Sequence, residues 1–208
     1  MAHEPRSTID GNDVTRTETE AEKKEVCISI GGYYASRDPM VIHTLLGSCV
    51  AVCLYDPVGR IGGMNHILLP GRADMKHFDV SARYGINAME LLINSIMAVG
   101  GHRHCLVAKV FGGAHILPAI SEENGTGKMN IEFVLEFLEA EAIGVVSQDV
   151  GGRRSRKILF HTDTGDVLLK RGPSMSYPDL TTMERKSLGS IRERAKNPGK
   201  ITWFQQPD

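Results

Sequence analysis

The sequence predicts an α+β fold, a three-layer α/β/β sandwich in a single domain with flexible tails, and three observations carry that expectation. Every residue from Val50 to Tyr55 in "CVAVCLY" (49–55) is apolar, so neither face of that strand can meet water. At least six strand-like runs lie mostly in hairpin order rather than strict βαβ alternation. Two amphipathic helices accompany them. A strand covered on both sides needs more than one layer over the main sheet.

The boundaries follow composition. Residues 1–24 are polar and charged with almost no large apolar group, and are expected to form a disordered arm. Residues 25–171 hold the domain, and 172–208 form a polar extension with a short helix expected in "TMERKSLGSIRERAK", a loose appendage. Within the domain, "EVCISIGGYY" opens as a strand closed by glycines, and "MVIHTLL" (40–46) and "CVAVCLY" follow as strands. "DPVG" (56–59) suits a type I turn, with Asp first, Pro second and Gly fourth. "RIGGMNHILLP" returns as the partner strand and ends at Pro70.

Along "SARYGINAMELLINSIMAV" the residues Tyr84, Ala88, Leu91, Leu92, Ile96 and Val99 recur at helical spacing, and Gly100-Gly101 supplies the stop. "HCLVAKVFGG" reads as another buried strand. A second helix is expected from Asn130, as its N-cap, to Gly144. "GVVSQDVGG", "RKILFHT" and "DVLLK" are three further strands, the last two joined by the turn "DTGD".

Charge excludes some functions. Formal net charge is −1, which gives no electrostatic case for nucleic acid or an anionic membrane. No apolar run reaches the ~18–20 residues of a membrane span, and the N-terminus carries no signal-peptide core, so the expected location is cytoplasmic without membrane insertion. The four cysteines, Cys27, Cys49, Cys53 and Cys105, lack the dense spacing of a disulfide scaffold and are expected to be free thiols.

The turn at "DPVG" fixes a register. If Asp56 faces Gly59 and Tyr55 faces Arg60, the ladder continues until Cys49 stands directly across from His66. Opposed residues share a sheet face with Cβ atoms about 4.5–5.5 Å apart. A slip of one residue would separate them onto opposite faces. A cysteine facing a histidine is the smallest unit for thiol nucleophilic catalysis, since the imidazole takes the thiol proton. Gly47 and Ser48 leave room for a substrate carbonyl, and an N–H near Cys49 is placed to bind the oxyanion. Simple packing of the pair stays an open alternative at this stage.

Other motifs carry less. Cys49 and Cys53 lie four residues apart on a strand, about 13 Å, beyond the ~7 Å reach of a disulfide. "HRHC" (102–105) has three metal-ligand types but no second cluster, and reads as a solvated turn. "NGTGKMN" lacks the Walker A spacing. "FGGAH" (111–115) is expected to be a tight turn near the site. His43, in an apolar strand, reads as a partly buried structural histidine.

On these residues the chain resembles the chemoreceptor glutamine deamidase family, CheD. The resemblance rests on "LGSCVAVCLYDP", "GGMNHILLP", "RYGINAMELLI", "AKVFGGAHIL" and "DVGGRRSRKILF" followed by "TGDVLLK", spanning about residues 28–171 in order. It implies an α/β/β sandwich and hydrolysis of glutamine side chains to glutamate on the cytoplasmic helices of methyl-accepting chemotaxis receptors. It implies no cofactor and no metal. The family's catalytic cysteine maps to Cys49 and its histidine to His66. Its threonine usually lies six positions before the cysteine; here that position is His43, with Thr44 one step later. One step along a strand reverses the face, so Thr44 is expected to serve as third member only from an irregular segment, and either His43 or Thr44 is expected to orient the imidazole by a hydrogen bond. Met129 stands where the family commonly has Arg before the asparagine. Some members bind a CheC-type phosphatase through the catalytic face, so an adaptor with little turnover is the alternative reading. A thiol enzyme with another acyl substrate, such as a peptidase or transglutaminase, is a weaker one.

Overall fold

The computed structural model describes residues 23–115, 125–172 and 178–196. The arm expected over 1–24 lies outside them except for Lys23, bonded to Asp163 at 2.7 Å, and Lys24. The element order is β1 (Lys24–Cys27), β2 (Tyr33–Ser36), β3 (Met40–Leu46), β4 (Val50–Asp56), β5 (Ile61–Asn65), α1 (Val80–Ala98), β6 (Val107–Gly112), α2 (Thr126–Ala140), β7 (Gly144–Val150), β8 (Arg156–His161), β9 (Val167–Arg171) and α3 (Pro178–Lys196).

The strands form two stacked sheets, β1-β3-β8-β9 and β2-β5-β4-β6-β7. β4 lies at the centre of the five-stranded sheet, as its unbroken apolar run requires. Its even residues Val50, Val52 and Leu54 enter a core with α1 and α2. Its odd residue Cys53, with Ala51 and the preceding Cys49, enters a second core against Ile42, Leu46, Ile158 and Phe160 of the other sheet. Helix layer, sheet, sheet: the α/β/β sandwich is the observed fold. Each fully buried aliphatic side chain contributes about 1.5–3 kcal/mol, so both faces of β4 are substantial stabilisers. The layers approach closely at β5. A Cβ on Gly62 would meet the Phe160 ring at 2.8 Å, and one on Gly63 would meet Leu92 at 2.9 Å.

Several local expectations shift. "EVCISIGGYY" is not one strand, because the chain crosses at Gly31-Gly32 and puts β1 and β2 in different sheets. α1 buries Met89, Leu92, Ile93 and Ile96, while Leu91 is exposed, so its apolar stripe is rotated from the expected one. α2 starts at Thr126, and Asn130 is a fully buried interior residue rather than its N-cap. The C-terminal helix is no loose appendage: Leu180 and Ile191 are buried, Leu188 packs on the inter-sheet core, and Arg192 Nε donates to the Pro70 carbonyl at 2.8 Å.

Candidate active site

Cys49 follows a bend at Gly47-Ser48 and is fully buried where β4 begins. The bend is tied from behind through three consecutive carbonyls. Gly47 O accepts from Ala114 N (2.8 Å), Ser48 O from Asn130 Nδ2 (2.8 Å) and Cys49 O from Gly113 N (2.7 Å). Asn130 reaches this position because α2 presents it on its buried face, and its Oδ1 accepts from Leu69 N at 2.9 Å. The "FGG" turn fits tightly beneath: Gly112 has φ +109, and a Cβ there would overlap the Cys49 carbonyl oxygen. Only glycine meets both demands.

The β4–β5 register differs from expectation by two residues. Asp56 pairs with Ile61, Cys53 with Met64 and Val50 with Ile67. Thus Cys49 lies in line with Leu68, and His66 with Ala51. The cause is a longer turn: Arg60 adopts φ +53, and Asp56 Oδ1 accepts from the N–H groups of both Val58 (2.8 Å) and Gly59 (2.9 Å). Burial alone would raise the Asp56 carboxyl, but bonds from the N–H groups of Gly59, His102 and Val58 and from the His102 ring hold it below its ordinary value. An even slip preserves the face. Cys49 and His66 therefore still share the inter-sheet side, as diagonal neighbours rather than opposed ones.

β5 ends at Asn65, whose side-chain Oδ1 replaces a backbone acceptor for Val52 N at 3.1 Å. The His66 backbone then pairs with the β1–β2 crossing, donating to Gly32 O (3.0 Å) and accepting from Gly31 N (2.8 Å).

Thr44 completes the group from the opposite sheet. β3 runs without irregularity against β8 from Val41 to Leu46, so no bulge is needed. Ile42, Thr44 and Leu46 point inward, and His43 points the other way, where its Nε2 lies 3.7 Å from Glu25. Thr44 faces the site because a different sheet from that of Cys49 supplies it, a relation chain spacing alone does not encode. Its Oγ1 lies 2.8 Å from His66 Nδ1 and donates to Ile28 O at 2.8 Å.

That geometry assigns the imidazole tautomer. A hydroxyl has one proton, and Thr44 gives it to Ile28, so Thr44 can only accept from Nδ1–H. Nε2 is then an unprotonated acceptor. It is buried and has no hydrogen-bond partner among the described residues. Burial lowers the His66 pKa to about 4, against a smaller upward effect of the Ile28 carbonyl.

The thiol is turned elsewhere. Cys49 Sγ donates to Glu184 Oε1 at 3.5 Å; Ser48 N donates to the same oxygen at 2.9 Å, and Ser48 Oγ to Oε2 at 2.6 Å. Burial first, then the charge of Glu184 and the bond to it, push the Cys49 thiol well above its ordinary value, outweighing its own backbone N–H. In this arrangement the pair is thiol and neutral imidazole, not the thiolate and imidazolium that the sequence suggests. The N–H facing the carboxylate is that of Ser48, one residue before the expected donor.

Glu184 escaped the sequence reading. Its signal was present: Leu180, Glu184, Leu188 and Ile191 form one helical stripe, with an acid where an apolar residue belongs. The remaining candidates stay apart from this cluster. His102 is engaged by Asp56, its N–H donating to Oδ2 at 2.9 Å. Cys53 is a buried free thiol whose burial pushes its pKa well up. Among the described residues no group of three or more His, Cys, Asp or Glu could hold a metal ion, and no helix is long and apolar enough to cross a membrane. Asn124 of "NGTGKMN" lies outside the described residues.

Known proteins supply an independent comparison. The family model described as CheD chemotactic sensory transduction matches residues 68–171, half of the chain. A protein of Shewanella oneidensis named probable chemoreceptor glutamine deamidase CheD 1 is 44% identical over 178 residues, covering 85% of this chain and 84% of its own. One of the same name from Albidiferax ferrireducens is 42% identical over 175 residues, covering 84% and 73%. A probable chemoreceptor glutamine deamidase CheD of Vibrio cholerae serotype O1 is 44% identical over 149 residues, covering 68% of this chain and 63% of that one. The family match begins after His66, but a match covering 85% of this chain extends from before residue 44 to beyond residue 66 whichever end it omits. On fold, motif order and identity together, the chain belongs to the CheD family.

Proposed function

We propose that the protein is a glutamine deamidase acting on the cytoplasmic helices of chemotaxis receptors, with Cys49 as nucleophile, His66 as acid and base, and Thr44 as the residue that orients the imidazole. The observation that carries this reading is the buried, unpartnered Nε2 of His66, on the same sheet face as a buried thiol that follows a small-residue bend. A purely structural histidine would leave an acceptor desolvated for no return, at a cost of about 1–3 kcal/mol.

In the reaction, a glutamine carboxamide takes the place of the Glu184 carboxylate. Cys49 passes its proton to Nε2 and its sulfur attacks the amide carbon. The Ser48 N–H, already placed on a carboxylate oxygen, stabilises the oxyanion. Imidazolium His66 protonates the departing ammonia, leaving a glutamyl thioester. His66 then removes a proton from water, which hydrolyses the thioester to glutamate and restores the thiol. Each turnover adds one negative charge to the receptor helix and creates a carboxylate open to methyl esterification.

The test is peptide mass mapping of a receptor cytoplasmic fragment after incubation, with ammonia release measured in parallel. Wild-type protein converts defined glutamines to glutamates, and Cys49→Ala and His66→Gln do not. Conversion that survives Cys49→Ala removes the nucleophile from Cys49. An adaptor for receptors or for a CheC-type phosphatase would bind its partner without releasing ammonia.

A further inference from the structure

We infer that α3 occupies the groove in which a substrate helix binds, and that Glu184 stands there as a built-in copy of the product glutamate. The inference rests on the deamidase reading and adds to it a mode of substrate docking and a means of holding the enzyme off. Three observations meet. The occupant is itself a helix, the same kind of element as the proposed substrate. It docks through a single stripe in which Leu180 and Ile191 are buried, Leu188 packs on the inter-sheet core and Glu184 lies between, while Met183 is 59% exposed on the other side. Glutamate differs from glutamine only in an oxygen for an NH2, and its side chain has the same reach.

The contacts fall where a reacting amide needs them. One carboxylate oxygen takes the Ser48 N–H and the Cys49 thiol, and the other takes the Ser48 hydroxyl. Among the described residues no cation accompanies Glu184; its partners are an amide, a hydroxyl and a thiol. A helix serving only as a strut would be held better by an apolar residue, because a buried carboxylate without a cation is costly. The carboxylate also takes the thiol's hydrogen bond and, after burial, adds to what keeps the thiol protonated. A competing helix must displace α3 before the sulfur can react.

The decisive variant is Glu184→Gln, which turns the mimic into a substrate. Cys49 sulfur bonds to the residue 184 amide carbon, the C–N bond breaks, and nitrogen leaves as ammonia with the proton carried by His66. Water then cleaves the thioester, leaving Glu184 and the free thiol. Peptide mapping of purified E184Q should find glutamate at position 184, formed at a rate independent of protein concentration. The double variant C49A/E184Q should keep glutamine there.

The companion assay offers wild type and E184A a receptor cytoplasmic helical fragment. E184A should raise kcat/KM by about fivefold or more, mainly through KM, because the competent fraction of sites rises. Iodoacetamide should also label Cys49 faster in E184A. If wild type converts the fragment while E184Q keeps its glutamine, or if E184A matches wild type in kcat/KM, the mimic is overturned and the deamidase reading stands. If the fragment and position 184 both stay unconverted in every protein, the deamidase reading fails and this inference falls with it.

Discussion

Replacing Thr44 by valine removes one hydroxyl from a buried site and keeps the shape of the side chain. The hydroxyl donates to Ile28 O and accepts from His66 Nδ1, both at 2.8 Å, and Thr44 is only 3% exposed. Water cannot replace the lost partner at such depth without opening the sheets. Leaving a buried polar group unpaired costs about 1–3 kcal/mol. The Ile28 carbonyl also bonds the imidazole and keeps part of the contact, so the lower part of that range applies. A loss of about 1–2 kcal/mol should appear in folding stability. The same energy holds the Nδ1–H tautomer, so kcat should fall by about 5- to 30-fold. The assay pairs urea denaturation with single-turnover ammonia release from a receptor fragment, with Thr44→Ser as the variant that restores the hydroxyl. A T44V protein that turns over at the wild-type rate would refute the tautomer argument, as would a T44S protein as impaired as T44V.

Three further outcomes are expected. His66 titrates near 4 when folded and near 6.5 when unfolded, so the unfolded chain binds more protons between those values; stability is full above about pH 6.5 and falls by on the order of 3 kcal/mol as pH drops toward 4. Urea midpoints across that window check the sign, and His66→Gln should flatten the slope. Asn130→Ala strands the Leu69 N–H and the Ser48 carbonyl, so denaturation should show a loss of about 2–4 kcal/mol together with reduced turnover, although Asn130 touches neither Cys49 nor His66 in the proposed reaction. Gly112→Ala drives a methyl group into the Cys49 carbonyl at a positive φ, and expression trials should find the protein unfolded or destabilised by more than about 3 kcal/mol.

What the sequence revealed depended on whether the determinant was local. The apolar run of β4 announced a doubly covered strand, and the helical spacing of α1 located that helix to within a residue at each end. The Cys49–His66 face survived an error in register only because the longer turn moved the ladder by an even number of residues. Asn130 looked like a cap because asparagine favours helix starts, and tertiary bonds to Leu69 and Ser48 overrode that preference. Thr44 could not be placed from chain spacing, since its orientation toward His66 depends on the stacking of one sheet on another. Glu184 was the hardest to see. An acid within an apolar stripe is a contradiction in the pattern, but its resolution lies about 135 residues away along the chain.

The three tethered carbonyls of Gly47, Ser48 and Cys49 bear on how the protein can change over time. Their anchors come from the two residues that follow β6 and from the buried face of α2, so the ground beneath the sulfur is laid by segments remote from it in sequence. A substitution that tilts α2 slightly would adjust the angle at which the Ser48 N–H meets an incoming amide, leaving every reacting group in place. Variation confined to the helix layer is thus a route by which relatives with the same cysteine and histidine could diverge in which glutamines they favour.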